Sequence, residues 1–243
     1  DRAAHGVTDM TTLLAKSLNV GAAWLTVNMG PNRFYDGLEL FGLGQRTGID
    51  LEGEITGSVR RPGRADWYES DLGTNAFGQG MAATPLQMAV AFGAIANDGL
   101  LMQPHMVSSR IDADGTTTEF EPTVVGRAIS TQTAHTLTEM LANALANEAS
   151  PATVPGYRVA GKTSTSEIPI PGGYDPDFTI ASFIGFGPVD DPQFLVLVKL
   201  DRPRTSRWGS ETAAPVFGDL VSRLVVLMEI PPDDLRMAAT GGG

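Results

Sequence analysis

The hydrophobic period of this sequence changes once, near residue 155, and that change limits the folds open to it. Before it, apolar residues recur at helical spacing in five segments, at about 8–16, 20–27, 31–41, 84–97 and 131–147. After it come three β-rich runs and one apolar helix, at about 158–166, 178–186, 194–200 and 212–228. Because short turns join the three runs, the pattern predicts an α+β fold with a helical lobe beside an antiparallel sheet.

The segments between these elements carry their own signals. Residues 45–80 are rich in glycine and polar residues, which predicts a long wrapped connection with short elements such as 64–70. Ala113-Asp114-Gly115 lies between two alternating runs and predicts a hairpin within 106–120. The helical position of Trp24 predicts a core side chain. Three strands make a thin sheet for a chain of this size, so we expect further strands of the domain to be missing.

Composition narrows the function classes. The chain has 243 residues, 42% of them hydrophobic, which is ample for a folded core. Its net charge of −11 argues against nucleic acid or an anionic membrane surface as a partner. The absence of cysteine excludes disulfide scaffolds, thiolate metal sites and cysteine nucleophiles. No apolar run is long enough to span a membrane, so any anchor is expected outside this chain.

The domain boundaries follow from the same patterns. We expect one incomplete domain over residues 1–236, with a mainly helical lobe at about 8–147. The sheet strands and the C-terminal helix occupy about 155–230. The composition of residues 237–243 predicts a flexible tail.

Two short polar segments are candidates for chemistry. On the first predicted strand, alternation places the hydroxyls of Thr163 and Thr165 on one side, with the cation of Lys162 beside them. Such a group suits a carboxylate ligand, although a polar edge strand would look the same. Ser17 and Asn19 can enter one cleft only if the backbone turns between them, and the glycine at position 21 makes such a turn plausible.

The two segments together resemble the signature of penicillin-binding proteins and serine β-lactamases. The sequence is similar to the transpeptidase domain of class B penicillin-binding proteins, and the likeness continues through 78–80, 84–88, 97–99, 178–188 and 209–217. The resemblance implies a penicillin-binding protein/serine β-lactamase-like fold. It also implies a peptidoglycan D,D-transpeptidase that cross-links stem peptides through an acyl-serine intermediate and is the target of β-lactams.

The resemblance also implies a role for each residue. Ser17 relays a proton to the leaving group, Asn19 binds the substrate amide, and Lys162 hydrogen-bonds Ser17. Thr163 and Thr165 hold the terminal carboxylate of the substrate. The backbone N–H of Thr165 forms half of an oxyanion hole. No metal or organic cofactor is implied.

The sequence departs from the family at two points. Its three lysines, at 16, 162 and 199, are preceded three positions earlier by Leu13, Val159 and Val196, so no serine-x-x-lysine nucleophile motif is present. We therefore expect a C-terminal part of the domain that is inactive alone. Ser164 stands where the family usually has glycine, and the added side chain is expected to alter the acylation rate.

Three functions stay open on the sequence. The leading one is the transpeptidase, in an enzyme at the extracytoplasmic face of the bacterial membrane that works with other wall-synthesis membrane proteins. A D,D-carboxypeptidase or serine β-lactamase shares the serine chemistry but uses water as acceptor. A non-catalytic module of the same fold would bind stem peptides or assembly partners. The sequence does not distinguish a role in division from one in elongation.

Overall fold

The computed structural model describes residues 3–147 and 150–240, which form eight helices and seven strands. The helices are α1 (Met10–Ala15), α2 (Asn19–Met29), α3 (Pro31–Leu40), α4 (Glu69–Asn75), α5 (Pro85–Ala96), α6 (Thr131–Asn147), α7 (Gly209–Leu227) and α8 (Asp233–Thr240). The strands are β1 (Leu100–Met102), β2 (Ser109–Ile111), β3 (Thr117–Glu119), β4 (Val124–Arg127), β5 (Ala160–Ile170), β6 (Gly173–Gly187) and β7 (Phe194–Asp201). The prediction of an α+β fold, helices first and sheet second, is confirmed.

The main sheet is antiparallel in the order β5-β6-β7 and is covered by helices on both faces. On one face α7 packs on it, and the rings of Phe183 and Phe217 have centroids 4.6 Å apart. On the other face Phe186 joins an apolar cluster with Leu141 of α6 and Ile95 of α5. Burying both faces of β6 in this way fixes its register, because a shift of one residue would exchange the two faces.

The long connection between α3 and α5 is confirmed, with α4 as its one helix in the described residues. The buried side chain of Gln87 holds it to α5, since Nε2 donates to the carbonyls of Gln45 and Thr56 at 2.6 and 2.8 Å. Tyr35 holds the far end, where its buried hydroxyl accepts a hydrogen bond from Asn75 Nδ2 at 2.9 Å. α4 lies against α2, so this connection supports the helix that begins with Asn19.

The hairpin predicted within 106–120 is confirmed as β2 and β3. Two other expectations were wrong. Trp24 is 64% exposed, and with Val20 and Val27 it forms an exposed apolar row on α2. Residues 237–240, assigned to the tail, belong to α8, which follows the Pro231-Pro232 break; 241–243 lie outside the described residues.

Candidate active site

A turn between α1 and α2 sets the positions of Ser17 and Asn19. The Ser17 N–H donates to Leu14 O at 3.3 Å and the Leu18 N–H donates to Leu13 O at 3.0 Å, which is the Schellman pattern of a helix end. Ser17 has a φ of 52°, a conformation that usually requires glycine at this position. The backbone therefore turns at Ser17, and Leu18 is buried while Ser17 and Asn19 are exposed on either side of it.

The glycine at position 21 does not make this turn, contrary to expectation. Gly21 is an ordinary residue of α2, and a Cβ there would lie 2.7 Å from Leu13 Cδ1. Its role is to let α1 and α2 approach closely. The turn depends instead on the left-handed conformation of Ser17.

The strand β5 carries the other three candidate residues. Thr163 pairs with Phe183 and Thr165 with Ala181, so both threonines lie on the α7 face, as predicted. Lys162 belongs to the opposite face, but its Nζ lies 3.4 Å from both the carbonyl oxygen and Oγ1 of Thr163. The structure thus brings a cation and a hydroxyl together at a strand that has one neighbour in the described sheet.

Thr165 has a partner that the sequence did not indicate. The Gly209 N–H donates to Thr165 Oγ1 at 3.0 Å, and a Cβ on Gly209 would lie 2.4 Å from Ser164 O. The first residue of α7 is therefore pressed against β5. Because Thr165 Oγ1 accepts this bond, its own hydrogen remains available to an acceptor such as a carboxylate. A glycine at a helix start is the one signal that could have pointed to this contact.

Helix α6 links the two candidate segments. It packs against α1, which ends at the serine turn, and against β5, which carries Lys162. Among the residues the structure describes, no hydrogen bond joins Ser17 to Lys162. The bond expected between them therefore stays a prediction.

Two cavities lie away from the β5 candidates. One of about 650 Å³ lies against α1 and α2 and is lined in part by Leu13, Leu18 and Trp24. Another of about 410 Å³ lies at the base of the β2–β3 hairpin, beside Asp50 and Arg110. Neither is lined by any of the β5 candidates, which lie on an edge strand of the described sheet. Within the described ranges, no helix is long and apolar enough to cross a membrane.

Comparison with known proteins shows the family and the fold of this chain. Residues 1–222 match the family described as "Penicillin binding protein transpeptidase domain". The chain is 37% identical to penicillin-binding protein PbpB of Mycolicibacterium smegmatis over 241 residues, which is 93% of this chain and 37% of that protein. It is 35% identical to stage V sporulation protein D of Bacillus subtilis, over 90% of this chain and 34% of that protein.

A solved structure gives the same result. The crystal structure of penicillin-binding protein 3 from Mycobacterium tuberculosis, complexed with ampicillin, matches with a TM-score of 0.85 at 34% identity. The match covers 96% of this chain and 54% of that one. The fold and the family match together define an α+β domain of the transpeptidase type. The chain belongs to the penicillin-binding protein transpeptidase family, and it spans less than half the length of the curated relatives it matches.

Proposed function

We propose that this chain carries the substrate-binding half of the active site of a peptidoglycan D,D-transpeptidase. One observation carries the proposal: β5, an edge strand of the described sheet, presents two threonine hydroxyls on one face, with the Lys162 ammonium beside that of Thr163. Such a group binds a peptide's terminal carboxylate through charge-assisted hydrogen bonds. Relatives named peptidoglycan D,D-transpeptidase FtsI, including that of Escherichia coli at 29% identity over 97% of this chain, support the same reaction.

Each residue then has a distinct task. Thr163 and Thr165 donate to the terminal carboxylate, and the Gly209 N–H orients the second hydroxyl for this. Asn19, at the exposed start of α2, binds the peptide amide of the substrate. Ser17 passes a proton to the leaving amine, with Lys162 as its charged neighbour. The backbone N–H of Thr165 stabilises the oxyanion.

The nucleophile of the reaction is not in this sequence. No lysine has a serine three positions before it, so no residue pair of the serine-x-x-lysine kind can form the acyl-enzyme. The chain alone therefore neither reacts covalently with penicillin nor transfers peptides. In the whole protein, a serine from outside these residues attacks the substrate held at β5.

Labelling with a fluorescent penicillin tests this half of the proposal. The isolated chain should retain no label after denaturing electrophoresis, whereas the whole protein should retain a long-lived adduct. Covalent retention by the chain alone contradicts the proposal. Rapid release from the whole protein indicates a carboxypeptidase or β-lactamase, and no adduct in the whole protein indicates a non-catalytic binding module.

Peptide binding tests the β5 assignment directly. A peptide ending in D-Ala-D-Ala should perturb the amide resonances of β5 in the isolated chain, and Lys162→Ala should weaken its binding about tenfold. Lys199→Ala is the matched control, because Lys199 lies on β7 and pairs with Asp201 at 2.5 Å. Equal losses in the two variants would show that the effect is general charge and not a site.

The setting of the reaction is also a proposal. A peptidoglycan cross-linking enzyme works where its substrate lies, at the extracytoplasmic face of the membrane, held by an anchor outside this chain. Its partners there are stem peptides, β-lactams and other wall-synthesis membrane proteins. The complexes of a solved relative with ampicillin and aztreonam support β-lactam binding.

A further inference from the structure

A short basic segment follows β7 in this acidic chain. Residues 202–208, here called the arginine loop, contain three arginines in a protein of net charge −11. Arg202 lies 3.6 Å from Asp175. Arg204 and Arg207 form no ion pair with any residue in the described part of the chain. Two cations are therefore left available to a ligand.

Both ends of the arginine loop form hydrogen bonds with one buried threonine. Thr179 is 1% exposed; its carbonyl accepts the Arg202 N–H at 3.0 Å and its Oγ1 donates to the Arg207 carbonyl at 2.6 Å. Ser206 Oγ accepts the Trp208 N–H and hydrogen-bonds to Glu211. Because the backbone is already ordered, a ligand would not have to order it on binding.

The side chain of Arg207 is also held in place. Its guanidinium carbon lies 5.7 Å from the ring centroid of Trp208, a cation–π contact. Trp208 is 42% exposed, so this cation–π pair faces solvent. A planar guanidinium in contact with an aromatic ring is suited to bind a carboxylate through two parallel hydrogen bonds.

The loop adjoins the carboxylate-binding strand. Gly209 touches Thr165, and Arg207 precedes Gly209 by two residues, so their Cα atoms are at most about 8 Å apart. In an extended peptide each residue advances about 3.4 Å. A carboxylate on the second or third residue before the terminus thus lies about 7 to 10 Å from the terminal one, a separation comparable to that between the Cα atoms of Arg207 and Gly209.

We propose that Arg204 and Arg207 bind a second carboxylate on the peptide whose terminal carboxylate is held by Thr163 and Thr165. This inference rests on the proposed function, since it assumes that peptide. It makes the arginine loop a specificity element that selects peptides with an acidic group upstream of D-Ala-D-Ala. Anionic lipid headgroups share the chemistry of the ligand, and the test separates the two.

The test compares two peptides that end in D-Ala-D-Ala and differ only upstream, one with a glutamate and one with a glutamine. By calorimetry on the wild-type chain, the glutamate peptide should bind about tenfold more tightly. In Arg204→Gln with Arg207→Gln this preference should disappear, while the glutamine peptide binds as before. Arg223→Gln, on exposed α7 surface, is the control and should keep the preference.

The outcomes separate this inference from the proposed function. If neither peptide binds the wild-type chain, the proposed function fails and the inference fails with it. If both bind equally, the role of the arginine loop is overturned and the β5 site stands. Binding of the chain to phosphatidylglycerol vesicles is measured last. If the wild-type chain binds the vesicles, the double variant does not, and the glutamate peptide fails to displace them, the arginine loop binds lipid and the proposal is rejected.

Discussion

Replacing Gly209 with alanine tests the contact that joins the fold to the candidate site. A Cβ at this position would lie 2.4 Å from Ser164 O and 2.5 Å from Ser182 O, and Cβ atoms essentially never approach other atoms within 3.0 Å. Both obstacles are backbone atoms of paired strands, so neither can move aside alone. The first turn of α7 must instead move away from the sheet, and the hydrogen bond to Thr165 lengthens or breaks.

The size of the effect follows from three contributions. Overpacking of this kind costs about 1–3 kcal/mol. Loss of the Gly209–Thr165 hydrogen bond adds about 1 kcal/mol. The higher helix propensity of alanine offsets about 0.5–1 kcal/mol of this destabilisation. The net loss in free energy of unfolding is about 1–3.5 kcal/mol, which lowers Tm by about 2–14 °C for a chain of this size.

Urea unfolding, read as a shift in midpoint at constant slope, measures this loss. The matched control is Gly93→Ala in α5, where a Cβ meets nothing within 4 Å. That variant should gain about 0.5–1 kcal/mol. Ordinary surface substitutions change the free energy of unfolding by no more than about 0.5 kcal/mol. If Gly209→Ala stays within that range of the wild type, the reasoning is refuted.

Three further predictions concern single side chains. Ser17→Gly should raise the free energy of unfolding by about 1 kcal/mol, because its φ of 52° favours glycine, and it should abolish turnover in the whole protein; an unchanged urea midpoint contradicts the strain. Ser164→Gly in the whole protein should change the β-lactam acylation rate, and identical stopped-flow rates for the two forms refute this. The hydrogen bond from Arg158 lowers the pKa of Glu139, so the pair stabilises the fold above the unfolded pKa of about 4.3 and this is lost as pH falls. Between about pH 5 and 3, the free energy of unfolding should therefore fall by up to about 1 kcal/mol less in Glu139→Gln than in the wild type. Identical pH profiles of the urea midpoint in the two proteins count against this.

Elements with local signals could be predicted from the sequence. The start of α5 agrees with the segment predicted at about 84–97, because the Thr84 side chain caps the helix and Pro85 occupies its first position, both local features. α6 was found at 131–147 because its apolar face repeats regularly and Ser130 precedes it. The alternation of β5 placed Thr163 and Thr165 on one face for the same reason.

Features that depend on contacts distant in sequence could not be predicted. The bond from Gly209 to Thr165 joins residues 44 positions apart, and no local pattern encodes it. Helical periodicity favoured burial of Trp24, but a periodic face shows only that a partner could cover it. α8 was missed because it begins just after two prolines and its last four residues belong to 237–243, whose composition is typical of a flexible tail.

At Ser17 and Gly209, the residue present is not the one that backbone stability favours, and the two cases have different explanations. Stability alone favours glycine at 17, where φ is 52°, and alanine at the first position of α7. At Gly209 the exception has a packing cause, since two carbonyl oxygens leave no room for a Cβ. At Ser17, packing gives no reason for a serine in place of glycine. The side chain is exposed, and its hydroxyl makes no hydrogen bond with any residue the structure describes. In the proposed function, the proton relay through its hydroxyl would account for a serine in this conformation.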